Sequence, residues 1–274
     1  MKTLYVSDLD GTLLDNEGLV SPRSAKILSQ LSDEGAVITV ATARTPATVV
    51  PLMTPANTRI PYIVMTGAAT YDPVSGRYEN LHALDVEQVA DAAYVFSRHG
   101  INPFFYHLSD DSMLTAYHTP AMTPAERRFY EARANTQLKR FTFNPILPTG
   151  GKYPLIFAVA ETEALEPIAR EFRETDIFQV SFYPDITMPG ISLIELFAKG
   201  VDKALTTTLM ASKLDAGRIV AFGDNLNDLP LFEAADVSVA VENAHPAVKE
   251  AADVVIGPNY EDSVARFIAY DFKK

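Results

Sequence analysis

Two carboxylates stand one residue apart, Asp8 and Asp10, and Gly11-Thr12 follows at once. A short apolar run, Leu4 to Val6, precedes them and reads as a buried strand. On a regular strand Asp8 and Asp10 point to one face, and Gly11 lets the backbone turn sharply after them. Acids crowded at a strand end repel each other and call for a counter-charge. A divalent metal with oxygen ligands supplies one. Taken alone, an Asp-Gly turn after a strand reads equally well as structural. A second acidic group, Asp224 and Asp228 within Gly223-Asp224-Asn225-Leu226-Asn227-Asp228, follows another apolar run and weighs against that. Mg²⁺ takes about six oxygens in near-octahedral geometry and keeps some waters, so two or three carboxylates plus a phosphate oxygen suit it. Thr42 offers a hydroxyl and Lys203 a point charge to the remaining phosphate oxygens. In phosphoryl transfer a protein mainly positions groups and stabilises charge, and these are the residue types that do so.

The elements that must position these groups alternate. A strand at Thr3 to Asp8 leads, past the turn Asn16-Glu17-Gly18, to a helix opened by Ser21-Pro22 and closed by Gly35. A second strand, Ala36 to Ala41, leads through Thr42 and Arg44 to Thr45-Pro46, another capped start. That places Thr42 and Arg44 between a strand end and a helix N-terminus, a natural place for an anion. A lone threonine there more often satisfies local backbone. A third strand spans Tyr62 to Met65. Strand-helix alternation predicts a parallel sheet with helices on both faces, whose ligands gather beyond the strands' C-terminal ends.

The middle of the chain changes character. A helix is expected from Asp85 to His99, then paired strands Pro103 to His107 and Met113 to Tyr117 around Ser109-Asp110-Asp111. A helix from Thr123-Pro124 to about Leu138, a strand Leu155 to Ala160, a capped helix Thr162 to Arg173, and strands Phe178 to Tyr183 and Ile191 to Phe197 follow. Adjacent strands predict an antiparallel sheet with helices on one face. The reading is a module inserted at 84–188 in an α/β core of 1–83 and 189–274. Alternation then returns, with Lys203 in a helix from Gly200 to Leu214, and strand Arg218 to Phe222 running into the second acidic group. Strand-helix units over 229–256 and a last helix from Glu261 to Ala269 complete the core.

At 274 residues the chain sits where single cores divide into two. Its apolar fraction, 47%, is that of a globular protein, and no apolar run reaches the length of a membrane span. A strand beginning beside Met1 leaves no room for a signal peptide. Without cysteine, disulfides and thiolate metal sites are excluded, which fits a cytoplasmic home. A net charge of −12 disfavours nucleic acid and anionic membrane as partners. A small anionic substrate is compatible with it where metal and a few cations make the site locally positive.

The chain resembles the haloacid dehalogenase superfamily of phosphatases. Its four motifs read in order as Asp8-Leu9-Asp10-Gly11-Thr12, Thr42, Lys203, and Gly223-Asp224 through Asn227-Asp228. The resemblance covers essentially the whole chain, and the insertion, with Asn243-Ala244-His245-Pro246 and Lys249, points to the Cof-like branch with a large α/β cap. It implies a Rossmann-like core and an Mg²⁺-dependent phosphatase of small phosphorylated metabolites, often sugar phosphates. Carried over residue by residue, Asp8 is the nucleophile that forms an aspartyl-phosphate. Asp10 is general acid for the leaving alcohol and then base for water. Asp8, the Asp10 main-chain carbonyl and Asp224 hold Mg²⁺, with Asp228 in its outer shell. Thr42 and Lys203 grip the phosphoryl group, Asn227 adds a polar contact, and Arg44 is placed to touch phosphate or substrate. Two positions depart from the family: Thr66-Gly67 stands where Asn-Gly is usual, and Leu231 where Met is usual.

Other readings stay open at this level. A phosphotransferase or mutase would use the same aspartyl-phosphate and pass it to a sugar hydroxyl. A non-catalytic binder of phosphorylated metabolites would not need a nucleophile beside an acid. The histidines show no metal-ligand spacing: His245 reads as a helix-entry residue, and His107 and His118, near strand ends, read as pocket-lining or as exposed. Phe104, Phe105 and Tyr106 read as module core, and Arg127-Arg128 as a solvated helix face.

Overall fold

The computed structural model describes residues 2–110, 112–185 and 187–274; Asp111, in the expected turn, lies outside them. In chain order the elements are β1 (Thr3–Ser7), α1 (Pro22–Asp33), β2 (Val37–Val40), α2 (Pro46–Met53), β3 (Tyr62–Val64), β4 (Ala69–Asp72) and β5 (Arg77–Glu79). There follow α3 (Val86–Arg98), β6 (Phe104–Leu108), β7 (Leu114–Tyr117), α4 (Pro124–Glu131), β8 (Lys139–Thr142), β9 (Lys152–Glu161), α5 (Thr162–Thr175), β10 (Phe178–Pro184) and β11 (Ile191–Ala198). The chain closes with α6 (Lys203–Lys213), β12 (Arg218–Gly223), α7 (Leu229–Glu233), β13 (Val237–Ala240), α8 (Pro246–Ala251), β14 (Val254–Val255) and α9 (Ser263–Asp271).

Two compact units result, 1–80 with 202–274, and 81–201. In the first, five strands form a parallel sheet ordered β14-β13-β12-β1-β2. Successive strands run outward from β1 in one direction and from β12 in the other, so the strand order switches between them. Asp8 leaves β1 and Asp224 leaves β12 at that switch, where open α/β sheets bind ligands. β1 and β2 are buried almost along their length and read as near-continuous apolar runs, as strands covered on both faces do. The Ser21 hydroxyl caps α1, accepting the Ser24 N–H at 3.0 Å. The expected cap at Thr45 is not made; Thr45 precedes α2 without a side-chain bond to it. The third strand, expected in the parallel sheet, instead opens a small antiparallel sheet, β3-β4-β5, and meets the end of β2 only through the parallel bridge Ala41↔Ile63.

The second unit is a six-stranded sheet ordered β10-β11-β9-β6-β7-β8. Its core cluster joins Val89, Phe96, Ile168 and Phe172 of α3 and α5 to Phe105, Ile156 and Ile194 of the sheet. The far boundary differs from the expected 188. Strand β11 pairs antiparallel with both β9 and β10 and so belongs to this sheet, moving the boundary to 201. The helix expected to reach Leu138 stops at Glu131, where the Arg133 guanidinium donates to the Phe129 carbonyl at 3.2 Å and satisfies its open end. The chain then returns as β8, parallel to β7. His107 and His118 are buried, not exposed, at 5% and 3%. His118 stacks on Phe104, and His107 reaches the Gly150 carbonyl at 2.6 Å.

Candidate active site

Strand β1 delivers Asp8 to the switch point, where its N–H still follows the sheet and donates to the Phe222 carbonyl of β12 at 3.0 Å. The chain turns immediately. Gly11 sits at φ +79°, and a Cβ there would run into the Asp224 carboxylate. The glycine is therefore required twice, for its left-handed backbone and for the approach of Asp224. The chain leaves the extended state at Leu9, which parts two acids that a straight strand would place on one face. Asp8 is buried, whereas the Asp10 side chain is 58% exposed.

Lys203 is the first residue of α6, whose N-cap Asp202 accepts the Leu205 N–H at 2.7 Å. Its stem is buried, and its Nζ donates to Asp8 Oδ1 at 2.6 Å and to Asp228 Oδ1 at 2.7 Å. Asp228 Oδ2 accepts the N–H groups of Asp224 and Asn225 at 3.1 and 3.2 Å. Asp224 Oδ1 accepts the Thr12 hydroxyl at 2.9 Å. One oxygen each of Asp8, Asp224 and Asp228 lies within 4.8 Å of the others.

These three carboxylates share a single ammonium, which leaves two negative charges in a largely buried place. The imbalance shows in their acidities. Burial pushes the Asp8 carboxyl up to about 8; Lys203 opposes that, while Asp228 and Asp224 add to it. Burial raises Asp224 to about 6, against the Thr12 hydrogen bond and with the repulsion of Asp228. Hard oxygen donors carrying a surplus of two negative charges are the chemistry of a divalent cation such as Mg²⁺, so the residues fit that ion. Both Asp228 oxygens are already engaged by Lys203 and two N–H groups. That commitment suits an outer-shell place better than a direct one. The Asp10 carboxylate is not in this cluster.

The cationic partner of Asp10 is Arg44. Its Nε and Nη2 donate to Asp10 Oδ2 and Oδ1 at 2.7 and 2.5 Å, a two-point pair. Thr42, buried at the end of β2, accepts the Arg44 N–H at 3.2 Å, and among the described residues its hydroxyl donates to no acceptor. Thr42 is pinned on both sides: its N–H reaches the Ile63 carbonyl at 3.0 Å, and its carbonyl takes the Thr66 N–H at 2.9 Å. Met65, Thr66 and Gly67 all have positive φ, at 51°, 55° and 97°. For a β-branched residue this is a rare backbone state that surrounding contacts must hold. Gly67 abuts the Asp202 carbonyl so closely that a Cβ would collide with it, and the Gly67 carbonyl accepts the Thr206 hydroxyl at 2.7 Å. The strand-three loop thus braces both Thr42 and the start of α6. Asn227 is exposed on its turn and is not drawn into the cluster by any hydrogen bond among the described residues.

Thr12 and Asn243 support the site without having been singled out for a role, while His245 is the helix-entry residue expected of it. Thr12 orients Asp224. Asn243 donates to the Gly11 carbonyl at 2.8 Å and accepts the Asn259 N–H at 2.9 Å, fastening the turn after Asp8 to the loop before α9. The His245 N–H holds the Asp224 carbonyl at 2.8 Å, and its Nδ1 caps α8. The available signal was the Asn-Ala-His-Pro run itself, whose polar residues precede a helix start.

A fold of this kind, with carboxylates ending the two strands at the switch point and a buried lysine between them, defines an enzyme class. The family model described as haloacid dehalogenase-like hydrolase matches residues 5–268, and the chain belongs to that family. It is 28% identical to a Bacillus subtilis 5-amino-6-(5-phospho-D-ribitylamino)uracil phosphatase, over 98% of this chain and 97% of that one. It is 26% identical to an Escherichia coli pyridoxal phosphate phosphatase, over 95% of each. Among solved structures, a haloacid dehalogenase-like hydrolase from Bacteroides thetaiotaomicron superposes with a TM-score of 0.81 at 22% identity, covering 99% of this chain and 100% of that one.

Proposed function

We propose that this hydrolase is an Mg²⁺-dependent phosphatase of small phosphorylated metabolites, of sugar-phosphate type, working through an aspartyl-phosphate. The observation that carries the reading is the Asp8–Lys203–Asp228 ion chain beside Asp224 at the sheet's switch point. The relatives support the substrate class, because a phosphoribityl compound and pyridoxal phosphate are both small phosphate monoesters.

Asp8 attacks phosphorus. Lys203 occupies its Oδ1, and among the described residues its second oxygen has no hydrogen-bond partner and is the one available to form the bond. The bond from phosphorus to the ester oxygen breaks, and Asp10 gives that oxygen a proton. Asp10 then takes a proton from water, which attacks the acyl phosphate and returns Asp8 as carboxylate with inorganic phosphate. Thr42 donates its free hydroxyl hydrogen to a phosphoryl oxygen, and Lys203 offsets charge there. Asn227 adds a polar contact from its exposed turn. Arg44 first positions Asp10; a bound phosphate competes with Asp10 for the same guanidinium. Asp8, the Asp10 carbonyl and Asp224 hold the metal, and Asp228 supports them. When bound, Mg²⁺ supplies the positive charge that lets an anionic nucleophile meet an anionic phosphate. We read the inserted unit as the part that selects the substrate.

The test is phosphate release from hexose, pentose and triose phosphates, nucleotides and phosphorylated cofactors with Mg²⁺. Release should vanish in Asp8→Asn, with the fold intact by circular dichroism, and with EDTA, returning on Mg²⁺ addition. Turnover by Asp8→Asn, or indifference to EDTA, would overturn the nucleophile or the metal assignment respectively. Phosphate passed to an added sugar instead of water would make the enzyme a transferase.

A further inference from the structure

The three acids of the cluster leave different strands. Asp8 follows β1, while Asp224 and Asp228 follow β12. Their surplus of negative charge pushes the two turns apart, so other bonds must hold them at the spacing a cation needs. Thr12 ties the turns directly through Asp224 Oδ1, and Lys203 ties Asp8 to Asp228. A further tie runs through a loop that carries none of the three acids.

That loop joins β13 to α8. Its main chain holds one turn: the His245 N–H donates to the Asp224 carbonyl at 2.8 Å. Its Asn243 side chain holds the other: Nδ2 donates to the Gly11 carbonyl at 2.8 Å. The same amide is fixed from behind, because its Oδ1 accepts the Asn259 N–H at 2.9 Å. A primary amide donates at one end and accepts at the other, so asparagine fits here in one orientation. An aspartate would meet the Gly11 carbonyl with a second acceptor. Asn259 closes the frame. Its Nδ2 donates to the Leu14 carbonyl at 2.7 Å, so the segment after β1 is held at Gly11 and again at Leu14.

The Gly11 end of this tie borders the cluster. The Asp224 carboxylate stands where a Gly11 Cβ would be, so a shift of the Gly11 backbone moves the surface against which that carboxylate lies. The peptide before Gly11 carries the Asp10 carbonyl, and Thr12, whose hydroxyl orients Asp224, comes next. Asn243 itself is exposed and fills no core, so its replacement costs the fold little.

We propose that Asn243 is a positioning residue for the metal ion: it ties the turn after Asp8 to the loop that holds Asp224, and so sets the affinity and the choice of ion at the acidic cluster. This rests on the metal site of the phosphatase reading and adds to it a residue that touches neither ion nor substrate. Groups that orient metal ligands from outside are worth about 10–100-fold in metal affinity. Mg²⁺ demands near-octahedral ligands, whereas Ca²⁺ accepts about six to eight oxygens in flexible geometry. Loosening the two turns should therefore weaken Mg²⁺ binding more than Ca²⁺ binding.

The experiment titrates the metal-free full chain with Mg²⁺ and, separately, with Ca²⁺, following melting temperature. Release of phosphate from p-nitrophenyl phosphate is measured against Mg²⁺ alongside. In Asn243→Ala the Mg²⁺ concentration for half-maximal effect should rise about tenfold or more in both readouts, and the Ca²⁺ midpoint by less. At saturating Mg²⁺ its kcat should approach that of the wild type, and without metal its melting temperature should match. Asn243→Gln keeps the amide on a longer arm and should recover part of the Mg²⁺ affinity. An unchanged Mg²⁺ midpoint would overturn the proposal, as would a midpoint raised equally for both ions. If Asn243→Ala does not fold, Asn243→Gln decides: a raised Mg²⁺ midpoint supports the tie and an unchanged one refutes it. A wild type that releases phosphate with Mg²⁺, beside variants that titrate identically, leaves the phosphatase reading standing and sinks this one. A wild type that Mg²⁺ stabilises but that hydrolyses no ester fails the phosphatase reading, and the melting titrations still judge Asn243. A wild type that Mg²⁺ neither stabilises nor activates sinks both.

Discussion

Replacing Lys203 by methionine removes one charge and almost no volume. Its Nζ bridges Asp8 and Asp228 at 2.6 and 2.7 Å, and all three side chains are buried. Taking one partner from a buried ion pair leaves an uncompensated charge and costs about 3–5 kcal/mol. One contribution runs the other way. Lys203 opens α6, where the helix dipole disfavours a cation, and its loss returns about 0.3–1 kcal/mol. The ion chain wins, for a net loss of about 2–5 kcal/mol in the absence of metal. For a unit of this size that is roughly 4–20 °C in melting temperature. The assay is a thermal scan of wild type and Lys203→Met in EDTA and again in Mg²⁺, with phosphate release measured alongside. Mg²⁺ should stabilise the variant more than the wild type, because it must offset three carboxylates without help, yet turnover should stay lost. A variant that melts with the wild type in EDTA would refute the reasoning, since the carboxylates would then not depend on this ammonium.

The raised acidities of Asp8 and Asp224 give a pH dependence of definite sign. Both carboxyls hold protons more tightly in the folded state than when free, so their contribution to metal-free stability is greatest in acid and falls as pH rises through about 6 and then about 8. The gain in melting temperature on adding Mg²⁺ should therefore grow from pH 5 to pH 8, and a flat gain would contradict the metal site. Gly67→Ala should cost more than about 1 kcal/mol, from its φ of +97° and the collision with the Asp202 carbonyl, and should lower kcat as well because Lys203 follows Asp202. An unchanged melting curve would show that the strand-three loop does not brace α6. Arg44→Lys should barely alter stability, its pair with Asp10 being exposed, but should lower kcat by loosening Asp10; an unchanged kcat would remove Arg44 as a positioning residue.

What could be read in advance followed physical signals carried by few residues. Ser21-Pro22 and Gly35 bound α1 because capping and left-handed φ are local demands, met without reference to the rest of the fold. The switch-point edge was legible because strand-helix alternation leaves few topologies. Pairing partners were not legible in the same way. Ile191–Ala198 has the look of a strand whichever sheet takes it, and only its hydrogen bonds to β9 and β10 assign it to the inserted unit. Strand β8 was hidden by a helical signal that begins well, with a Thr123–Glu126 capping box, and fails when Arg133 folds back onto the helix end. His107 and His118 were misjudged for a related reason: an imidazole at a strand end is buried or not according to which carbonyls meet it, and those carbonyls come from distant residues.

The same limit governs the two acids at the start of the chain. Asp8 and Asp10 share a side-chain type and almost a position, and a strand would give them a common face. The backbone leaves the extended state at Leu9, between them, so that they do not share an environment. Asp8 enters a buried cluster with one ammonium among three carboxylates, a setting whose chemistry suits a cation. Asp10 meets a guanidinium at the surface, where proton exchange with water is easy. A nucleophile must stay unprotonated and close to phosphorus; a general acid must load and unload a proton each cycle. On the proposed assignment, two aspartates one residue apart divide that labour because the chain leaves the extended state between them, at Leu9.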